Sequence, residues 1–588
     1  MLSDRDLNSF HLFDIPQRLG EWKETRLLRK ERLALACGLL PRPEKCPLQP
    51  NVTNTFESDG IRIENVAIQT IEGFWLCGNI YRPLAGKGTF PAIANPHGHW
   101  AAGRFTREQD VPPNPKGQRL AYGKADFVQL GVSLAQQGFI VFAYDMVGYG
   151  ETKQAGHTLA AGLDAWCWGI SLLGVQTWNS IRAIDYLVSR PDVDSKRIGV
   201  TGASGGATQA FILAALDDRI QCSVPVNMVS STMQGGCLCE NAPGLRVNTD
   251  NVEIAALFAP KPQLVVSCLG DWSKTTPTVE GPAMKRVYDL FGAAQALDWV
   301  QFPYEHNYNR ESREAMTRWM CQWLKGTPST DVSERITTID SERLRVFPKS
   351  SKSPQGVGSE EELMVRLRKM AMQRRRDLLR RGLKPTRKWE RELRSMLSAS
   401  VAVSVPKITV GPLGSVTLVC GRSAADVAAS LPSNGIPVSE VHLSAGKEHD
   451  WKEYHSTYNQ TAFGNHVAIV ISAWKSLQST HAVVNLVAAG DAASVTLVAA
   501  AIIGSQLSGK VIVDVSGDQV NNDRYWSTTG YSPAIRVIGD INAAAMLLRE
   551  QGVVLLGVKK SHNWPGLENH VKGEPMSSQL LIDLLSRS

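Results

Sequence analysis

Nowhere in these 588 residues does an uninterrupted apolar run reach the ~18 positions that a bilayer-spanning helix needs, so no such helix is expected. The first residues, Met1-Leu-Ser-Asp-Arg-Asp-Leu-Asn, lack the basic-then-apolar layout of a secretory leader. That favours a cytoplasmic protein, or one whose leader has been removed. The ten cysteines show no disulfide framework: Cys77, Cys222, Cys268 and Cys420 sit inside apolar runs, as small buried hydrophobes do. Cys237-Leu-Cys239 is the one close pair. It lacks a second pair, or histidines at matching spacing, so no metal is expected there. A broad basic face is missing too. Net charge is +7, but residues 361–394 hold thirteen Lys/Arg against five Asp/Glu, which leaves the remainder close to neutral. A nucleic-acid binder is therefore not expected, nor a membrane partner.

What is present is alternation. The length exceeds what one hydrophobic core serves, so two domains are expected. A helix over 18–37 gives way to a Pro-rich stretch at 40–47 and then to strands over 61–70 and 73–81. Short apolar runs at 90–95, 139–145, 198–200, 220–226, 262–268 and 297–302 read as buried strands. Helical patterns fall between them at 126–137, 174–188, 205–216 and 284–291, and a last one follows at 311–324. Strands alternating with helices imply an α/β fold with right-handed crossovers and a mostly parallel sheet covered on both faces.

The third of these buried runs ends in Gly202-Ala203-Ser204-Gly205-Gly206 and passes directly into a helix. G-x-S-x-G between strand and helix is a nucleophile elbow: the turn is too sharp for side chains two residues either side of the serine. Ligands of such sheets bind beyond the strands' carboxyl ends, and Asp271 and His306 follow two later strands. The order Ser204, Asp271, His306 suits acyl transfer. Imidazole takes the serine's proton, and the carboxylate fixes the imidazole's tautomer. Asp145 begins a Gly-rich turn, and Glu305 is too near His306 in sequence to reach its ring, so Asp271 is preferred as the acid. The oxyanion is expected to be held by the N–H of Gly205 and by the loop containing Gly98 and His99. His97 and His99 as a metal pair is disfavoured because further strand-end histidines are absent. Trp100, Trp168 and Trp272 fall in loops expected to rim the site as sugar-stacking residues, as does Trp166, and the loop 146–167 reads as a lid.

Residues from about 15 to 325 resemble the bacterial acetylxylan-esterase-like branch of the α/β-hydrolase superfamily, which is related to dienelactone hydrolases and prolyl-oligopeptidase-type peptidases. The resemblance rests on Asn79-Ile-Tyr-Arg-Pro, Pro96-His-Gly-His-Trp, Val200-Thr-Gly-Ala-Ser-Gly-Gly, Cys237-Leu-Cys-Glu-Asn-Ala-Pro-Gly-Leu-Arg, Gly270-Asp-Trp-Ser-Lys-Thr-Thr-Pro and His306-Asn-Tyr-Asn. Asn307 and Asn309 depart from the Asp-Tyr-Gly usual after the histidine. The resemblance implies a serine carboxylesterase removing small acyl groups, acetyl foremost, from an acetylated carbohydrate or other small ester, without metal or organic cofactor. A peptidase of the same fold, or a non-catalytic carbohydrate-binding protein, is the alternative. The motifs do not fix the oligomeric state.

Residues 326–400 read as a linker followed by a basic helical stretch (359–397), which is expected to be a solvated helix between domains, with an anionic-surface contact as the sharper alternative. From about 401 onward the alternation resumes as a weak repeat. Gly174–Leu187 parallels Gly464–Leu477, and Ser204 falls on Gly490. Asp540 and His562 are expected after strands. Residues 401–588 thus read as a second, hydrolase-like domain without a nucleophile.

Overall fold

The computed structural model describes residues 4–586, apart from 85, 87, 108–124, 330, 336, 349–355, 381–413, 435, 442, 444–453, 517–521, 560–563 and 565–566. Nine strands form one sheet in the order β1-β2-β3-β5-β4-β6-β7-β8-β9. They are β1 (Asn51–Ser58), β2 (Ile61–Ile71), β3 (Phe74–Pro83), β4 (Phe90–Pro96), β5 (Ile140–Tyr144), β6 (Val193–Ala203), β7 (Ile220–Val226), β8 (Gln263–Gly270) and β9 (Leu297–Glu305). The first three pair antiparallel, and β3 joins β5 antiparallel. From β5 through β9 every pairing is parallel.

The inner strands β4 and β5 read as apolar runs because both faces are covered, whereas the edge strand β9 stays largely part-exposed. Helices Phe127–Gln136 and Arg310–Met320 close one face, burying Phe127, Leu130, Met316 and Met320 with Ile93, Val141, Val224 and Val266. Helices Leu172–Ser189 and Gly205–Leu216 pack together and against β4 and β6. Three helix starts are fixed by their caps: Asp126 accepts from Gln129 N, Ser171 from Gly174 N and Asn309 from Ser312 N. The unforeseen β1 is polar and exposed along most of its length, an edge strand with no apolar face to betray it.

Contacts divide the chain into two units. The first comprises Met1–Leu39, Glu44–Ala161 and Ser171–Leu367; the second comprises Leu40–Pro43, Gly162–Ile170 and Arg368–Ser588. This division differs from the expected boundaries at 325 and 400. Residues 337–346, within the stretch read as linker, lie with the first sheet because buried polar side chains need their carbonyls. Asn79 Nδ2 donates to Leu344 O at 2.8 Å, Asn65 Nδ2 to Arg343 O at 2.8 Å and Arg107 to Ile339 O and Thr337 O at 2.7 and 2.9 Å. Leu344 and Val346 are fully buried there. The helix of the basic stretch runs Glu360–Arg380, and its remainder lies outside the described residues.

The second unit holds a five-stranded parallel sheet ordered β11-β10-β12-β13-β14, with β10 Ser415–Cys420, β11 Val438–Val441, β12 Val483–Ala489, β13 Val511–Asp514 and β14 Val553–Leu556. That order repeats β5-β4-β6-β7-β8. After β12 the chain turns at Gly490 (φ 62°, ψ −139°) into helix Asp491–Ile503. Asp540 is not at a strand end, contrary to expectation. It opens helix Asp540–Leu547, ahead of β14, and is buried in ion pairs with Arg375 and Arg536. His562 lies outside the described residues. Among the described residues, no helix is long and apolar enough to cross a membrane.

Candidate active site

Ser204 directly follows β6 at φ 57°, ψ −127°, a conformation costing a non-glycine residue on the order of 1–3 kcal/mol. Its N–H is held by Val226 O at 3.0 Å, and its own carbonyl accepts from Ala207 and Thr208 as the next helix begins. The flanking glycines are sterically required. A Cβ at Gly202 would stand 2.5 Å from Gly206 O and Pro96 O, and one at Gly206 would stand 2.4 Å from Pro96 O. Helix Gly205–Leu216 starts beside the hydroxyl, so the Gly205 N–H lies in a first turn without an intrahelical acceptor.

Asp271 and His306 follow β8 and β9 at the same sheet edge where Ser204 follows β6. His306 Nδ1 donates to Asp271 Oδ2 at 2.8 Å, and the carboxylate is fixed from behind by Ser273 N at 2.7 Å. Trp272 packs on the imidazole, ring centroids 4.4 Å apart. Asn227, just past β7, ties the strand ends together: its amide donates to Asn307 O at 2.7 Å, and its carbonyl accepts from Trp272 Nε1 at 3.1 Å. The two departures after the histidine have structural roles. Asn307 Oδ1 accepts from Asn309 N, and Asn309 caps the following helix. Asp145 is engaged elsewhere, paired with buried Arg104 and accepting from Glu151 N.

The loop after β4 lies against the serine. A Cβ at Gly98 would stand 3.0 Å from Ser204 Cβ and 2.6 Å from Ala203 O, so only glycine permits this approach. His97 braces the loop from within. Its Nε2 accepts from Met146 N at 3.1 Å, its Nδ1 donates to Gly98 O at 2.7 Å, and burial lowers its pKa to about 3, so the ring is neutral. His97 and His99 therefore do not act as a pair. His99 turns away to Cys239, with Nε2 2.9 Å from Sγ. A small cleft opens here, lined among others by His99, Tyr149, His157, Gly205 and Cys239.

The expectation that Cys237 and Cys239 have no histidine partners is overturned: His99 and His157 supply them from distant loops. Hydrogen bonding from Cys239, together with His157 and His99, pulls the Cys237 thiol far below its ordinary value, whereas burial pushes Cys239 up. Burial also raises the Glu240 carboxyl, which faces His99 Nδ1 at 3.9 Å. His157 and Glu240 went unnoticed in the sequence because no local spacing connects them to the elbow.

The solved methylesterase BT1017 aligns over 60% of this chain and 75% of its own, with 28% identity and a TM-score of 0.51. The first unit has an α/β-hydrolase fold. A protein of Bacillus subtilis (strain 168) named as a hydrolase, YtaP, is 27% identical over 265 residues, covering 41% of this chain and 82% of that protein. A 4-O-methyl-glucuronoyl methylesterase of Neurospora crassa is 29% identical over 162 residues, 27% of this chain. The chain spans about a third of that fungal relative's length (33%). A family model described as fungal glucuronyl esterase matches residues 144–241, from the end of β5 past the elbow to Asn241.

The tryptophans divide. Trp272 is partly exposed beside His306, and Trp100 is partly exposed with its ring edge-on to Phe127 at 5.1 Å. Trp166 and Trp168 do not line the site. Both are buried in the second unit, where Arg368 and Arg536 stack on Trp168 and Trp166 O accepts from Ala534 N. The expected lid thus ends near Ala161. Beyond it, the chain is committed to apolar packing in another core.

Proposed function

We propose that the first unit is a serine carboxylesterase acting on a carboxylic ester carried by a carbohydrate. The observation that carries the reading is the His306–Asp271 hydrogen bond on the same sheet edge as a serine held in a strained elbow. Ser204 Oγ attacks the ester carbonyl while His306 Nε2 takes its proton, and Asp271 stabilises the resulting imidazolium. The oxyanion is received by the N–H of Gly205 and by a donor of the Gly98–His99 loop, each worth roughly 3–4 kcal/mol of barrier. His306 returns the proton to the departing alcohol. Water then repeats the sequence on the acyl-enzyme and releases the acid.

Two ester polarities fit this chemistry. An acetyl ester places the sugar in the leaving alcohol, whereas a uronic acid methyl ester places it in the acyl group. The methyl ester is preferred because the matching relatives are named methylesterase and 4-O-methyl-glucuronoyl methylesterase. The test is to offer acetylated xylan and methyl-esterified uronosides to the wild type and to Ser204→Ala, and to quantify acetate and methanol. Methanol from the wild type and none from the variant is expected. Acetate alone would reverse the polarity, and product from the variant would refute the serine mechanism. A fluorophosphonate should label Ser204.

A further inference from the structure

We propose that His99, His157, Cys237 and Cys239 form a zinc site that clamps the loop beside the nucleophile. One donor atom from each residue lies within 4.8 Å of every other. Donors about 2.0–2.3 Å from a tetrahedral zinc are separated by about 3.3–3.8 Å, so the cluster needs only side-chain adjustment to close on an ion.

The imidazoles are set up as ligands. His157 Nδ1–H donates to Val147 O at 2.7 Å, which fixes the tautomer and leaves the buried Nε2 lone pair for the cluster. His99 presents Nε2 to Cys239, while its Nδ1 faces buried Glu240, whose other oxygen accepts from Gly236 N at 2.9 Å. A ligating histidine whose second nitrogen meets a carbonyl or carboxylate is the usual outer arrangement around zinc. Two thiolates and two neutral imidazoles balance a dication, and mixed sulfur and nitrogen donors select zinc over the oxygen-seeking calcium and magnesium.

The four residues come from three loops, those after β4, β5 and β7. Four protein ligands fill a tetrahedron and leave no open position, so the ion is structural and does not polarise the ester. Its effect reaches the reaction through His99. Gly98 lies against Ser204, and Gly205 faces both the His99 ring and Glu240. Without the ion the loop is held by weaker hydrogen bonds, and its oxyanion donor is less well placed. This consequence rests on the esterase reading; the binding itself does not.

The test uses the full chain purified without chelator. Elemental analysis is expected to give about one zinc per chain. Cobalt(II) replacement should give the visible bands of a tetrahedral ion and a near-ultraviolet thiolate-to-cobalt charge-transfer band. Cys237→Ser with Cys239→Ser should abolish that band, and His157→Ala should weaken zinc binding by about tenfold or more. Stripping the zinc should lower both Tm and kcat, with KM changing less, and zinc should restore them. A folded wild type that takes up neither zinc nor cobalt, a cobalt spectrum without charge transfer, or a Cys237–Cys239 disulfide in freshly purified protein would overturn the proposal. Because the wild-type cobalt titration is decisive alone, a variant that fails to fold does not shield it. Metal uptake without any esterase activity would sink the esterase reading and leave the site standing.

Discussion

Asp271 is the residue whose chemistry separates positioning from folding most cleanly. Asp271→Asn keeps the shape but removes the charge that stabilises the imidazolium and selects its tautomer. A kcat loss of about 10⁴-fold with little change in Tm is expected from steady-state kinetics beside a thermal melt. His11 offers a pH test of stability. Burial, with Arg5 and Arg29 nearby, lowers its pKa from 6.5 to about 4. A depressed histidine is neutral in the folded chain while the unfolded chain takes up a proton, so its stability contribution is intact above about pH 6.5. That contribution is lost as pH falls toward 4. Relative to His11→Gln, the wild type should lose about 1–2 kcal/mol of urea-unfolding free energy across that window, the full shift being discounted for a half-buried ring. A difference that stays flat with pH would contradict it.

Among the elements, the segment 331–347 shows why a polar, Ser/Thr-rich stretch can be misread as a tether. Its backbone carbonyls are what Asn65, Asn79 and Arg107 need, and those side chains are buried on other elements. Arg107 also pairs with Asp126, the cap of helix Phe127–Gln136. Arg107→Met removes the charge partner of the buried Asp126 carboxylate and the donor to two carbonyls. It should destabilise the first unit by about 3–5 kcal/mol, read as a lower urea midpoint at unchanged slope. A loss below 1 kcal/mol would mean that the segment is held by its apolar residues alone.

Across the whole molecule, one sheet order occurs twice, and so does one elbow conformation. Ser204 sits at φ 57°, ψ −127° and Gly490 at φ 62°, ψ −139°. We read the second unit as a hydrolase-like sheet that retains the turn without the nucleophile. Restoring the hydroxyl alone should not restore chemistry, because Asp540 is consumed by two arginines and opens a helix. Gly490→Ser in a Ser204→Ala background should therefore remain unlabelled by a fluorophosphonate, at a stability cost of about 1 kcal/mol for a side chain at positive φ. Labelling at position 490 would show a competent second site.

By itself the sequence determined what contiguous residues encode. The inner parallel strands announced themselves as apolar runs because both faces are buried, and the elbow did so because its glycines admit no side chain. Gly490 could be aligned with Ser204 for the same local reason. Only the tertiary structure decided what depends on the path of loops. Trp168 leaves the site for another core, residues 337–346 pack back onto the first sheet, and His99, His157, Cys237 and Cys239 converge across gaps of dozens of residues. Strand and helix patterns are set by periodic burial within a short window. Convergence is set by where long connections return to the sheet edge, and no spacing in the sequence records that.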